Sequence, residues 1–168
     1  MYQVIVLFSC LIIGSVWLEA FQDDYQVIRH GGMELRWKIS EQQLHCELEA
    51  PTQGWMAIGF NPERGLAGTH MIMTRVKNGQ AEAEEYAIVK AGDYRPLSSR
   101  GMKSLLRGVS GWEKQQRSMV RFSLPLNHAD RFRHALAQGT EFRLLMAFSR
   151  DDDFAHHSMM RTEVAIKL

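Results

Sequence analysis

The sequence contains few cysteines, few prolines and no long apolar segment, and each shortage excludes a class of protein. Only two cysteines occur among the 168 residues, Cys10 and Cys46, so a disulfide-rich scaffold is excluded. The uncharged apolar run at residues 4–18 is shorter than the roughly 20 residues that a membrane-spanning helix needs. The formal net charge is only +1, which argues against nucleic acid or a strongly acidic substrate as partner. This composition suits one globular domain with a single core.

Motifs of the common hydrolases, nucleotide-binding proteins and metalloproteases are also missing. The chain contains no G-x-S-x-G, no P-loop, no paired-cysteine motif and no H-E-x-x-H. Cys46 alternates with Glu47 and shares its side of a predicted strand with Leu44 and Leu48, so it is predicted to be a core residue and not a nucleophile. We therefore expect that the protein is not an enzyme by itself.

The N-terminal segment is typical of an export signal. Residues 4–18 carry no charge, and Ala20 follows them as a small residue where a signal peptidase would cut. The sequence predicts a signal peptide over residues 1–20 and a mature domain over residues 21–168, exported to the periplasm, the cell surface or the medium. No Lys or Arg precedes the apolar run, so an uncleaved anchor is the alternative. Cleavage would leave no membrane span and no cysteine pair.

Alternation of apolar and polar residues predicts a domain built almost entirely of strands. Residues 33–40 and 43–50 alternate strictly, and strands are also predicted at residues 54–60, 69–76 and 117–126 and in the C-terminal segments TEFRLLMAFS and TEVAIKL. One short helix is predicted over residues 128–139, because Gly139 stands where a helix commonly ends. Residues 92–112 are predicted to be a loop with one strand at most. Turn signals about every 10 residues favour an all-β fold, an immunoglobulin-like antiparallel β-sandwich with one short helix.

Two segments resemble a known family. The segment GWMAIGFNPERGLAGTHMIM at residues 54–73, with VKNGQ and EEYAI after it, resembles the core of a DOMON domain. The segment EFRLLMAFSRDDDFAHHSMMRTEVAIKL is similar to the end of that domain, where an aspartate-bearing loop leads to a histidine, an arginine and a last strand. The resemblance extends over residues 25–168. It implies a β-sandwich outside the cytoplasm that binds haem b and transfers electrons in some members, and binds sugars or other small ligands in others.

The resemblance also implies candidate cofactor-binding residues. His157 matches the histidine that haem-binding members use as an axial ligand, and a neutral imidazole is a good iron ligand. At the family's methionine position this sequence has Leu66, which cannot coordinate iron. Met71 and His70 are the candidate substitutes, and in a strand they face opposite sides. Met71 and Met73 also suit ordinary core packing, because methionine fills irregular cores well.

Two hypotheses about function follow from these residues. The first is a haem b-binding electron-transfer module, with its pocket at one end of the sandwich between the 61–70 and 150–160 loops and a membrane redox protein as partner. The second is a haem-free module that binds a carbohydrate or a protein through aromatic residues such as Trp112, and Leu66 favours it. The aspartates of SRDDDFAHH lack the spacing of a calcium loop, so no metal site other than haem is predicted.

Overall fold

The computed structural model describes residues 24–168, which form strands and a single four-residue 3₁₀ helix, Leu97–Arg100. The strands are β1 (Gln26–His30), β2 (Met33–Ser40), β3 (Gln43–Ala50), β4 (Met56–Asn61), β5 (Thr69–Lys77), β6 (Gln80–Lys90), β7 (Asp93–Pro96), β8 (Arg107–Lys114), β9 (Arg117–Pro125), β10 (Glu141–Phe148) and β11 (Met160–Lys167). The predicted signal peptide at residues 1–20 lies outside the described residues. Within the described range, no helix has the length and apolar character needed to cross a bilayer.

The strands form two antiparallel sheets, which confirms the predicted β-sandwich. Sheet A has five strands in the order β1-β2-β3-β9-β8, and sheet B has six in the order β11-β10-β4-β5-β6-β7. The strands that alternate in sequence supply the core between the sheets. Leu44, Cys46 and Leu48 of β3 are fully buried, as predicted. Burial raises the pKa of the Cys46 thiol, so this cysteine remains protonated and unreactive.

The helix predicted over residues 128–139 is wrong, because that segment is irregular. The Asp130 carboxylate accepts hydrogen bonds from the backbone N–H groups of Phe132 and Arg133, at 2.8 and 3.0 Å. The Arg133 side chain then enters the interior and donates to Glu85 at 2.8 Å. The local turn and the buried ion pair together outweigh the helix propensity of the segment.

The prediction of at most one strand between residues 92 and 112 is also wrong. The segment contains β7 and most of β8, which are the edge strands of sheets B and A. Most residues of both strands are exposed or half-buried. Edge strands with polar residues on both faces lack the alternation by which strands are recognised in a sequence.

Candidate functional site

An apolar cluster covers the face of sheet B that points away from sheet A. We call it the outer cluster. Its buried members are Trp55, Ala57, Met71, Met73, Tyr86, Ile88, Leu145 and Ala147, and Leu66, Tyr94 and Phe154 pack against them. The outward face of an antiparallel sheet is commonly solvated and polar. An apolar outer face covered by loops is therefore the first place to look for a ligand site.

Small residues form the centre of this face. Ala57 of β4 lies between Ala147 on β10 and Met73 on β5, and Gly59 lies between Leu145 and Met71. A Cβ on Gly59 would lie 2.5 Å from Thr69 Cγ2, which is closer than two such atoms approach. The outer face is therefore recessed along β4, where the side chains are small, and raised along β5, where they are larger.

Asn61 holds the glycine loop, residues 62–68, beside the outer cluster. Its buried amide donates to the carbonyls of Gly65 and Ala67, at 3.0 and 2.8 Å, and its Oδ1 accepts from the Glu63 N–H at 3.0 Å. Leu66, between the two bonded carbonyls, packs against the outer cluster. One buried side chain thus fixes the loop in a defined shape.

Asn61→Ala is expected to lower the free energy of unfolding by about 2 kcal/mol, because two loop carbonyls lose their donor. Urea denaturation measures the difference. Asn78→Gly, in the exposed turn after β5 with φ of 52°, is the control and should change stability little. Equal stability of Asn61→Ala and Asn78→Gly would contradict the assigned role.

Trp55 anchors the aspartate loop, residues 149–159. Trp55 lies in the outer cluster and not between the two sheets. Its indole Nε1 donates to the His156 carbonyl at 3.2 Å, and its backbone exchanges hydrogen bonds with Asp151 at 3.0 Å and Ser149 at 2.9 Å. The aspartate loop is therefore tied to the residue that precedes β4, and it crosses the outer face instead of one end of the sandwich.

Phe154 is the aromatic residue that the aspartate loop adds to the outer cluster. Its ring lies 6.2 Å from the Tyr86 ring at 86°, and the Arg75 guanidinium lies 4.5 Å from its centroid. The Tyr94 hydroxyl donates to the carbonyls of Phe154 and Ala155, at 3.3 and 3.2 Å. The sequence prediction did not include this aromatic group, because its members come from β6, β7 and a loop and meet only in the fold.

The predicted site residues divide between the two faces of sheet B. Met71 belongs to the outer cluster and is 7% exposed. His157 is exposed in the aspartate loop, where its carbonyl accepts from the Ser149 hydroxyl at 3.0 Å. His70 points to the other face, is 2% exposed, and donates from Nε2 to Glu85 at 3.0 Å. Met71 therefore lies on the side of sheet B that the aspartate loop covers, and the alternation of β5 places His70 on the opposite side.

Glu85 lies at the centre of a buried polar network that the sequence prediction missed. Its carboxylate accepts from Arg133 at 2.8 and 3.2 Å, from the Leu105 N–H at 2.7 Å and from His70. Burial by itself would raise the pKa of Glu85, but these hydrogen bonds outweigh it and lower the pKa to about 2. Glu85 shares its face of β6 with Ala87, and a charge on that apolar face was the available signal.

Residues 29–149 match the model of the DOMON domain. The chain belongs to the DOMON domain family. The resemblance noted in the sequence is thereby confirmed, and the match includes β2 through β10 with the whole glycine loop. Most of the outer cluster lies inside the matched range, whereas the part of the aspartate loop with Phe154 and His157 follows it.

This DOMON domain is similar to one curated relative and to solved structures. MOXD1 homolog 2 of Drosophila melanogaster is 25% identical over 129 residues, which are 77% of this chain and 17% of that protein. The cytochrome b domain of pyranose dehydrogenase from Coprinopsis cinerea superposes with a TM-score of 0.62 at 6% identity, over 80% of this chain and 76% of that one. The cytochrome domain of Myriococcum thermophilum cellobiose dehydrogenase gives 0.63 at 8% identity, over 86% and 81%. At these identities the structural likeness shows the fold.

Proposed function

We propose that this DOMON domain is an exported ligand-binding module, that its ligand is haem b, and that it transfers single electrons. The observation that carries the proposal is the position of Met71 and His157. Met71 lies in the outer cluster, and His157 lies in the aspartate loop, which covers that cluster. A thioether and an imidazole are one of the ligand pairs by which proteins hold haem iron.

The residues of the outer face suit haem in donor chemistry and in lining. The thioether of Met71 is surrounded by apolar groups, and the His157 imidazole makes no hydrogen bond to the described residues. The rings of Trp55 and Tyr86, which are 5% and 6% exposed, would be the aromatic lining for a flat apolar ligand in this cluster. Leu66, at the family's methionine position, adds hydrocarbon surface but no donor, so Met71 takes the second ligand role in this proposal.

Haem bound on this face would supply a one-electron iron couple. The protein's own part is to hold it, to exclude water and to set its potential, which a thioether ligand and burial both raise. Tyr86 stays neutral beside the site, because burial and the neighbouring Glu84 raise its pKa. His70, on the other side of β5, ties this strand to Glu85 of β6 and so helps to position Met71.

The names of the similar structures support a role beside a redox enzyme. Both are cytochrome domains, one of a pyranose dehydrogenase and one of a cellobiose dehydrogenase. We propose that this domain is non-catalytic and exchanges electrons with a redox partner, a membrane protein in the simplest case. The chain spans about a sixth of the curated relative, 17% of its length, so the rest of that protein supports no conclusion about this one.

The test is an absorption titration of the protein with haemin, followed by reduction with dithionite. We expect a sharp Soret band and resolved α and β bands, as for six-coordinate haem b. His157→Ala and Met71→Ala should each abolish the six-coordinate spectrum. His156→Ala and Met73→Ala are matched controls that should keep it, and His70→Ala should keep it while lowering stability.

A broad spectrum like that of free haemin would contradict haem binding, as would an unchanged spectrum in His157→Ala. The second candidate, a haem-free carbohydrate- or protein-binding module, would then be favoured. One observation supports it: Trp112 of β8 lines a cavity of about 160 Å³ on sheet A together with Glu47 and Glu49. An aromatic ring beside carboxylates suits a sugar. Binding on a glycan array that disappears in Trp112→Ala would support this alternative.

A further inference from the structure

A cavity of about 380 Å³ lies where the end of β6, the 3₁₀ helix and the segment between β9 and β10 meet. This volume falls in the range of about 300–1,000 Å³ that is usual for small-ligand sites. Val89 and Phe132 supply apolar surface, and Arg100 and Arg131 supply charge. Val89 is 48% exposed, which is unusual for a large aliphatic side chain beside a cavity.

Two guanidinium groups share one aromatic ring in this cavity. The Cζ atoms of Arg100 and Arg131 lie 4.7 and 5.2 Å from the centroid of Phe132. Neither arginine forms a salt bridge with a carboxylate of the described residues. The Nε atom of Arg100 is buried and lacks a hydrogen-bond partner within the same part of the chain. A buried N–H group without an acceptor is costly, so the guanidinium of Arg100 is incompletely satisfied in the folded chain.

The two acidic residues of the cavity are already paired with other arginines. Asp93 accepts from Arg95 at 3.3 Å, and Asp130 accepts from Arg133 at 2.8 Å. Arg133 also lines the cavity and is held by Glu85, as described above. The carboxylates of the wall are therefore not available to Arg100 and Arg131.

The net charge of the residues that line the cavity favours a monoanion as the ligand. Three arginines and two aspartates line the cavity, which leaves one formal positive charge when histidine is counted as neutral. A dianion would be repelled by Asp93 and Asp130, and a neutral ligand would leave the two guanidinium groups uncompensated. A carboxylate matches the paired N–H groups of a guanidinium in geometry. Phe132 and Val89 complete the site with surface for an apolar or aromatic body.

We propose that this cavity binds a small carboxylic acid with an apolar or aromatic body, through Arg100 and Arg131. The site is separate from the proposed haem ligands and does not depend on haem. His134 connects this cavity to the glycine loop, because its Nε2 donates to the carbonyl of Gly68 at 2.7 Å.

The test is isothermal titration calorimetry of the full chain without haem, with benzoate as the probe. Benzamide is the neutral analogue and phenyl phosphate is the dianionic one. We expect saturable binding of benzoate, no saturable binding of benzamide, and weaker binding of phenyl phosphate. Arg100→Gln and Arg131→Gln should each weaken benzoate binding about tenfold, the effect of losing one charged hydrogen bond. Arg121→Gln, at an exposed arginine of β9, is the control and should bind like the unmodified chain.

Three results would overturn the proposal. One is the absence of saturable binding by benzoate, acetate and cyclohexanecarboxylate alike. Another is unchanged benzoate affinity in the double variant Arg100→Gln/Arg131→Gln, with circular dichroism showing that it is folded. The third is equal affinity for benzoate and benzamide, which would mean that the cavity binds the ring and not the charge.

Discussion

Replacing Glu85 by alanine is expected to lower the free energy of unfolding by about 3–5 kcal/mol, the largest effect of any single substitution considered for this domain. The Arg133 guanidinium, 5% exposed, would remain in the interior without its main partner. The Leu105 N–H and the His70 imidazole would lose their acceptor at the same time. Urea denaturation followed by tryptophan fluorescence measures the loss.

Glu82→Ala is the matched control, because Glu82 lies on the same strand, is exposed and pairs with Arg75. We expect it to cost less than about 1 kcal/mol, as is usual for surface ion pairs. Replacing both buried partners, as Glu85→Leu with Arg133→Met, should recover most of the loss, since no charge is left unpaired. If Glu85→Ala costs no more than Glu82→Ala, the network is not buried in solution.

The Glu85 carboxylate makes the free energy of unfolding depend on pH in the acidic range. The pKa of Glu85 is lowered from its ordinary value of 4.5 to about 2, so its contribution is fully present above pH 4.5 and is lost as pH falls toward 2. Glu85→Gln has no proton to gain in this range. A plot of unfolding free energy against pH should therefore be less steep for Glu85→Gln than for the unmodified chain below pH 4.5.

Gly54→Ala is expected to have the next largest effect, a loss of about 3 kcal/mol from overpacking against rigid backbone. An added Cβ would lie 2.5 Å from the carbonyl carbon of Arg150 and 2.5 Å from the amide nitrogen of Asp151. These atoms are main chain and cannot rotate away. The substitution would push the aspartate loop from Trp55 and break the hydrogen bond between the Trp55 N–H and the Asp151 carbonyl.

Two measurements distinguish this clash from a general cost of losing glycine. Gly79 has φ of 75° and no atom near an added Cβ. Gly79→Ala should therefore lower the free energy of unfolding by only about 1 kcal/mol, the cost of backbone strain. Hydrogen exchange at the amides of Trp55 and Ser149 should accelerate in Gly54→Ala and stay unchanged in Gly79→Ala. Equal losses in the two variants would contradict the close approach of the aspartate loop.

The strands with a clear period of two could be predicted because one of their faces is buried. In β2 and β3, every second residue enters the core, so apolar and polar residues alternate strictly. The last strand, β11, was predicted for the same reason, and Ile166 within it and Leu168 just after it are buried. The edge strands β7 and β8 were not predicted. Neither face of these strands is fully buried, so their sequences show no regular alternation of apolar and polar residues.

The position of the candidate ligands could be predicted only in part. Alternation in β5 was enough to say that Met71 and His70 face opposite sides. It did not say which side is the sandwich interior, because both faces of this strand are apolar. That question depends on sheet A, which covers only the His70 side, and on the glycine and aspartate loops, which cover the Met71 side.

Local sequence is enough to predict the DOMON family, the β-sandwich, the inward position of Cys46 and the separation of Met71 from His70. These properties follow from local periodicity and from motifs whose residues are near each other in the chain. Contacts between residues far apart in the chain follow only from the folded arrangement of strands and loops. Arg133 reaches Glu85 across 48 positions, and Trp55 holds His156 across 101. Such contacts are made by side chains from distant segments, and no local pattern in the sequence records them because packing between elements creates them.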